Sequence, residues 1–354
     1  MAAVQPPSPV LRSRVAAYLA LVFGAAAAVI VLWFLYKVMT AVLLLFFALV
    51  VTIALAAPVR WFMRRGVKRK LAAAITFTLF LGTVVTLVAV IAPMVAAQIV
   101  MLLKSVPDLI NDLNRQMAAL FVQYPELQGL IAADAGALDG VVPPIGELFG
   151  GALGISLSLL AFVALLVVFL SFVLYTMLDP MPVLRGYLGS LPSEYRRPGA
   201  RALARFSRAV VGWTKASLIL GVIEGVAVFI FLTWMDVPGA LVWAALAFFA
   251  EFIPRIGGYV MAAPPILISV TMGPMTALWV ALFYLASNEL LGNVVAPRIR
   301  GVTMQLHPVL LLFFTLAFAL AFGLLGAIVA TPAAAFFSAY YGEFYLKRGS
   351  AERV

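Results

Sequence analysis

The chain has 354 residues, 65% of them hydrophobic and 11% charged, with a net charge of +10, one histidine and no cysteine. Soluble domains are about half apolar and about a quarter charged, so this composition excludes a water-soluble globular fold. The absence of cysteine excludes disulfides, thiolate metal sites and thiol nucleophiles. The basic residues stand in blocks between apolar runs, the pattern of membrane topology and not of a nucleic-acid footprint.

Crossing a bilayer core as a helix takes about 20 apolar residues. Backbone amides in lipid must be satisfied within their own segment, so such runs form helices. The first candidates are 16–36, 39–57 and 71–91. Run 16–36 follows Arg12 and Arg14, exceeds a signal-peptide core and leads almost directly into the second run. It is read as a retained membrane helix. The loop 60–70 carries Arg60, Arg64, Arg65, Lys68, Arg69 and Lys70 with no acid, which assigns it to the cytoplasm together with the amino terminus. The first two runs then form a hairpin with Lys37 near its outer turn, and the third leads outward.

The stretch 98–150 is poor in Lys and Arg and is placed outside. Within it Leu102, Val106, Leu109, Leu113, Met117 and Leu120 form a near-heptad stripe. A stripe this narrow wants a partner helix, in the same chain or in a second copy. Run 154–178 returns to the cytoplasm, where 179–215 is rich in arginine. There Leu203, Phe206, Val210 and Trp213 recur at three- and four-residue spacing, opposite Arg201, Arg205 and Arg208. This reads as an interfacial helix with its arginines toward anionic lipid.

Runs 216–235 and 276–296 fit single crossings, whereas 238–272 and 308–341 are too long for one. Arg298 and Arg300, and the tail with Lys347, Arg348 and Arg353, prefer the inside, so each long run crosses an even number of times, as a re-entrant or a spanning hairpin. The first is broken at Pro254, Arg255, Gly257 and Gly258, the second at Gly323 and Gly326. The outer prolines are 26 residues apart in the first hairpin (Pro238, Pro264) and 24 in the second (Pro308, Pro332). With opposed orientations from charge counting, this is the pattern of an inverted repeat, in which broken helices meet around a substrate site. The expected fold is an all-α integral membrane protein with about six full transmembrane helices plus two helical hairpins. The expected segments are transmembrane helices 1–3 in 1–97, an extracytoplasmic amphipathic segment in 98–150 and helix 4 in 151–178. A cytoplasmic amphipathic segment in 179–215, a transport core in 216–342 and a cytoplasmic tail in 343–354 complete the chain.

Ionisable groups inside apolar runs are costly and face a cavity or a partner. Glu224 lies between Gly221 and Gly225, a small-xxx-small pattern that brings helices close. Glu251 and Arg255 flank the first break, and Asn288, Glu289 and Asn293 precede Arg298. These six are the candidates for binding substrate or a coupling ion. Internal ion pairs, Glu251 with Arg255 or Glu289 with Arg298, are the alternative role for the acids. His307, before Pro308, reads as a capping or interfacial residue, and one histidine supplies no metal site. No zinc-protease, nucleophile-elbow or P-loop motif occurs, so neither an enzyme nor a cofactor is expected.

The carboxyl half resembles the autoinducer-2 exporter family of bacterial permeases. The resemblance covers about residues 215–340. It is carried by Val237-Pro238-Gly239-Ala240, by Phe252-Ile253-Pro254-Arg255-Ile256-Gly257-Gly258 and by Pro264. It continues through Asn293-Val294-Val295-Ala296-Pro297-Arg298-Ile299-Arg300-Gly301, Leu306-His307-Pro308, Gly323, Gly326 and Pro332. Three positions depart from the family pattern. Arg255 stands where an aromatic or other uncharged residue is usual, Gly258 where a proline is often found, and Phe322 where a small residue is common. The resemblance implies a secondary transporter or exporter of a small solute or signalling metabolite in a bacterial inner membrane, and the charge pattern gives both termini as cytoplasmic. It also implies a homo-oligomer, a pentamer being the suggested assembly. Sodium/proton exchange, a channel, and a non-transporting membrane scaffold are the readings that stand beside it. Arg255 at a hairpin tip favours an anionic solute.

Overall fold

A computed structural model describes residues 9–123, 152–300 and 308–346. All regular structure among them is helical. Five of the helices are long and apolar enough to cross a membrane, or six if one bent pair counts as a span. The expected all-α membrane architecture stands.

The chain divides into two compact units, Met1–Ala48 and Leu49–Val354. The described part of the first is the leading portion of α1 (Pro9–Arg64), and its side chains from Leu21 onward are largely exposed apolar groups. Here the structure corrects the expected hairpin. α1 is a single helix of 56 residues that runs through Lys37 without a turn. Residues 36–40 hold neither glycine nor proline, and propagating a helix is far easier than nucleating a second one. At ~1.5 Å per residue it is about 84 Å long, well beyond one bilayer core.

In the second unit, Gly66 at φ +88° turns the chain into α2 (Arg69–Gln123), again one helix. The expected exit helix 71–91 and the outer stripe from Leu102 to Leu120 therefore share one continuous backbone. The side chains of that stripe, and all of 124–150, lie outside the described residues. α3 (Ala152–Leu178) meets the short α4 (Met181–Gly189) at an elbow of 91°.

α5 (Ser193–Trp234) runs through both the arginine-rich stretch and the next membrane run. This is a second correction. Phe206, Val210 and Trp213 are buried in protein and not in a lipid interface. Phe206 meets Phe336 edge-on at 5.4 Å and Trp213 meets Phe252 at 5.7 Å. Arg201 and Arg205 are held by Glu343, their Nε atoms 3.0 and 3.1 Å from its two carboxylate oxygens. The same periodicity describes a helix facing lipid and a helix facing other helices, and only the neighbours decide between them.

The first long apolar run forms α6 (Ala240–Ala250) and α7 (Gly257–Met272), separated by an unwound stretch. α8 (Pro274–Leu290) leads through a wide π-helical turn, Leu291–Val295, into α9 (Ala296–Arg300). The second long run is α10 (Pro308–Tyr341), interrupted at Gly323 with φ 63° and ψ −145°. The rings of Phe314 and Phe337 lie 5.3 Å apart. In a straight helix 23 residues would separate them by about 35 Å, so α10 folds back on itself. Both expected breaks are present. Gly301 and His307 lie outside the described residues.

The core sits where α5, α6, α7 and α8 meet, around Val228, Leu232, Trp243, Ala262, Ile268 and Val280. Phe231 of α5 stacks on Phe283 of α8 at 4.1 Å. The second half of α10 packs its buried alanines, among them Ala330 and Ala334, against α5.

Candidate functional site

The site is assembled on α5 by glycine. A Cβ at Gly221 would lie 2.7 Å from the carbonyl oxygen of Phe248, and one at Gly225 3.0 Å from that of Ala244. Larger residues would hold α6 away, so the small-xxx-small pattern docks the first hairpin directly onto the helix that carries Glu224. Glu224 is 2% exposed. Its Oε2 accepts a hydrogen bond from Ser287 Oγ of α8 at 2.6 Å. Its Oε1 is buried with no hydrogen-bond partner among the described residues, as is the hydroxyl of Tyr284, one turn before Ser287. Two further buried groups without such partners, Trp213 Nε1 and Ser217 Oγ, lie on the same face of α5. Buried polar groups are nearly always satisfied, so this row along α5 marks a place where the core is unlike a packed interior.

One turn beyond Ser287, α8 reaches the tip of the first hairpin. The unwound stretch there holds Arg255 at φ +71°. For a side chain with a Cβ this left-handed conformation costs about 1–2 kcal/mol. Residues held so cluster at ligand sites and switch regions. The tip is closed by contact with glycine: a Cβ on Gly257 would overlap the carbonyl oxygen of Ala250, and one on Gly258 would overlap Asn288 Oδ1. Asn288 Nδ2 donates to the Tyr284 carbonyl at 2.8 Å, which anchors the side chain. A small cavity of ≈ 40 Å³ opens here, lined in part by Glu251, Arg255, Gly258, Tyr259, Asn288 and Gly292. That volume exceeds the ~10–15 Å³ of one water. Gly292 belongs to the π-helical turn, a local widening that often accompanies function.

Glu289 faces outward but is not loose. Tyr259 Oη donates to its Oε1 at 2.6 Å and Asn293 Nδ2 to its Oε2 at 2.5 Å. Its partners are thus Tyr259 and Asn293, and not Arg298. Pro297 and Arg298 are exposed on α9. The six sequence candidates fall into three places. Glu251, Arg255 and Asn288 line the cavity. Glu289 and Asn293 are tied to its rim through Tyr259. Glu224 is buried apart from it, joined through α8. Sequence reasoning missed Tyr284, Ser287 and Tyr259. The first two stand with Asn288 at three- and four-residue spacing from Tyr284, a polar stripe in an apolar helix that was open to reading. Tyr259 had no such signal.

Broken hairpins packed on an intramembrane carboxylate define a multi-pass helical membrane protein built like transporters whose binding sites lie at helix breaks. The chain belongs to the family described as AI-2E family transporter, whose profile matches residues 19–345. Among its relatives, YhhT of Escherichia coli (strain K12) is 32% identical over 261 residues, covering 73% of this chain and 71% of that one. MT0215 of Mycobacterium tuberculosis (strain CDC 1551 / Oshkosh) is 25% identical over 321 residues, covering 88% of this chain and 85% of that one. The AI-2 transport protein TqsA of Escherichia coli (strain K12) is 34% identical over 118 residues, covering 31% of this chain and 34% of its own.

Proposed function

We propose that this chain is a secondary transporter that exports a small solute across the inner membrane, with the solute site at the tip of the first hairpin and Glu224 as the ion-coupling group. The observation that carries this reading is Glu224 itself. A carboxyl group with one oxygen held by Ser287 and the other without a partner among the described residues is poised to exchange a proton or cation. Such a group is expensive inside a membrane and is retained there for function. A scaffold has no use for it. Arg255 at the cavity favours an anionic solute. This reading pairs α5 with the first hairpin and α8–α9 with the second as an inverted repeat, and the arginine-rich ends support cytoplasmic termini. Sodium/proton exchange is the second reading, favoured by the same unpartnered oxygen.

The test is flux in sealed liposomes holding a pH-sensitive dye, under an imposed sodium gradient. Wild type is compared with Glu224→Gln and Glu251→Gln. Sodium-dependent proton flux that disappears in Glu224→Gln supports ion coupling at this residue. No flux from folded, oriented protein removes sodium/proton exchange and leaves organic-anion export. Proton flux unchanged in Glu224→Gln removes Glu224 from the mechanism.

A further inference from the structure

A second cavity, away from the hairpin tip, has no part in that reading. It measures about 420 Å³, within the range of about 300–1,000 Å³ typical of small-molecule sites. Its walls come from the Leu49–Val59 part of α1, the α3–α4 elbow, the first turns of α5 and the end of α10. The elbow creates it. Pro180 stands between α3 and α4, and the 91° bend carries α4 across the bundle and leaves an opening beneath it.

The lining is largely apolar, with Ile53, Met177, Leu184 and Phe336 among its members. Its two tyrosines are already paired, Tyr340 Oη donating to Tyr187 Oη at 2.6 Å. One polar group stands apart. Thr52 is 8% exposed and lines the cavity, and its hydroxyl is buried with no hydrogen-bond partner among the described residues. At the rim stands Arg69, exposed, in the acid-free block from Arg60 to Lys70. Among the described residues that line the cavity, Arg69 is the one cation.

An apolar chamber with an interior hydroxyl, that of Thr52, left without a hydrogen-bond partner among the described residues, and with a cation at its rim, matches one ligand chemistry. We propose that this cavity binds an amphiphile with an apolar chain and an anionic head, the chain inside and the head at Arg69. The source is either a lipid of the surrounding leaflet or a free single-chain amphiphile. Basic residues at the membrane surface attract anionic headgroups. A free fatty acid offers the same chemistry. Occupancy would join α1, α4 and α10, which makes the site suited to regulating the movement of α10.

The experiment uses the full chain in nanodiscs of phosphatidylcholine. Three probes carry a diazirine in the alkyl chain: palmitate, hexadecanol and phosphatidylglycerol. Cross-linked peptides are mapped by mass spectrometry. The expected result is palmitate or phosphatidylglycerol captured within Leu49–Val59, the α3–α4 elbow and the end of α10. Whichever of the two is captured at the lower concentration names the source. Ala56→Trp, which fills the chamber, is expected to remove labelling at these positions. Ser207→Leu, which narrows it from the opposite wall, should do the same if Ala56→Trp does not yield a folded protein by size-exclusion profile and melting temperature. Arg69→Gln is expected to weaken capture of the anionic probes about fivefold, the effect of one cation at a membrane surface, and to leave hexadecanol unchanged. Labelling spread evenly over the lipid-facing helices, or capture at the cavity that Ala56→Trp and Ser207→Leu leave intact, would overturn the proposal. So would equal capture of hexadecanol and palmitate that ignores Arg69→Gln.

Discussion

The two hairpins solve the same problem with different materials. The first breaks over several residues between α6 and α7, with a proline, an arginine in a left-handed conformation and polar groups from α8 pressed against it. The second breaks at one residue, Gly323, in a run without a charged or amide side chain. Their inner geometry is alike. A Cβ on Gly257 would strike the carbonyl oxygen of Ala250, seven residues back, and one on Gly326 would strike that of Phe318, eight residues back. Each hairpin therefore closes by a glycine seated on a carbonyl of its own first half. The shared closure belongs to the fold. Among the described residues the polar tip belongs to the first hairpin alone.

Several experiments would break or sharpen this contrast. The largest effect is expected from Glu224→Gln, which keeps the shape and removes the charge. Ion-coupled flux in liposomes should fall below detection while the melting temperature holds or rises, because a buried ionisable group is replaced by a neutral one. Next come the closing glycines. Gly257→Val and Gly326→Val should each destabilise the protein by about 1–3 kcal/mol through overpacking against backbone, seen as a lowered melting temperature in detergent. A large effect in one and none in the other would deny the common closure. Ser287→Ala is expected to cost about 1–3 kcal/mol by leaving Glu224 Oε2 without its donor. Ser287→Thr, which restores the hydroxyl, should recover most of it.

Smaller changes separate the tips. Arg255→Gly relieves the positive φ and should stabilise by about 1 kcal/mol while weakening uptake of an anionic solute. Gly323→Ala imposes the opposite strain, about 1–2 kcal/mol, in a place where the added methyl meets nothing. The smallest effect belongs to Tyr259→Phe. It frees an exposed Glu289 that water can solvate, so stability should barely move. A clear fall in solute flux would place Tyr259 in the solute path, and unchanged flux would leave it a tether.

Much of this was legible because lipid restricts the chain so severely. Long apolar runs had to be helices, and runs too long for one crossing, interrupted by proline and glycine, had to break where they do. The neighbourhood of Glu224 was half legible. Gly221 and Gly225 announced a close helix contact, but nothing in the sequence named Ser287 as the partner, since 63 residues separate the two. Arg201 and Arg205 misled for the same reason. Their partner Glu343 lies in a region that reads as a tail.

By itself the sequence determined the helical class, the membrane setting and both hairpin breaks, because each follows from local chemistry: backbone hydrogen bonding without water, and residues that cannot continue a helix. Tertiary structure alone decided that the aromatic stripe of α5 faces protein, and that Glu224 keeps one oxygen bonded and one without a partner among the described residues. Those outcomes depend on which surface meets which, and a chain read one residue at a time carries no record of its neighbours across the fold.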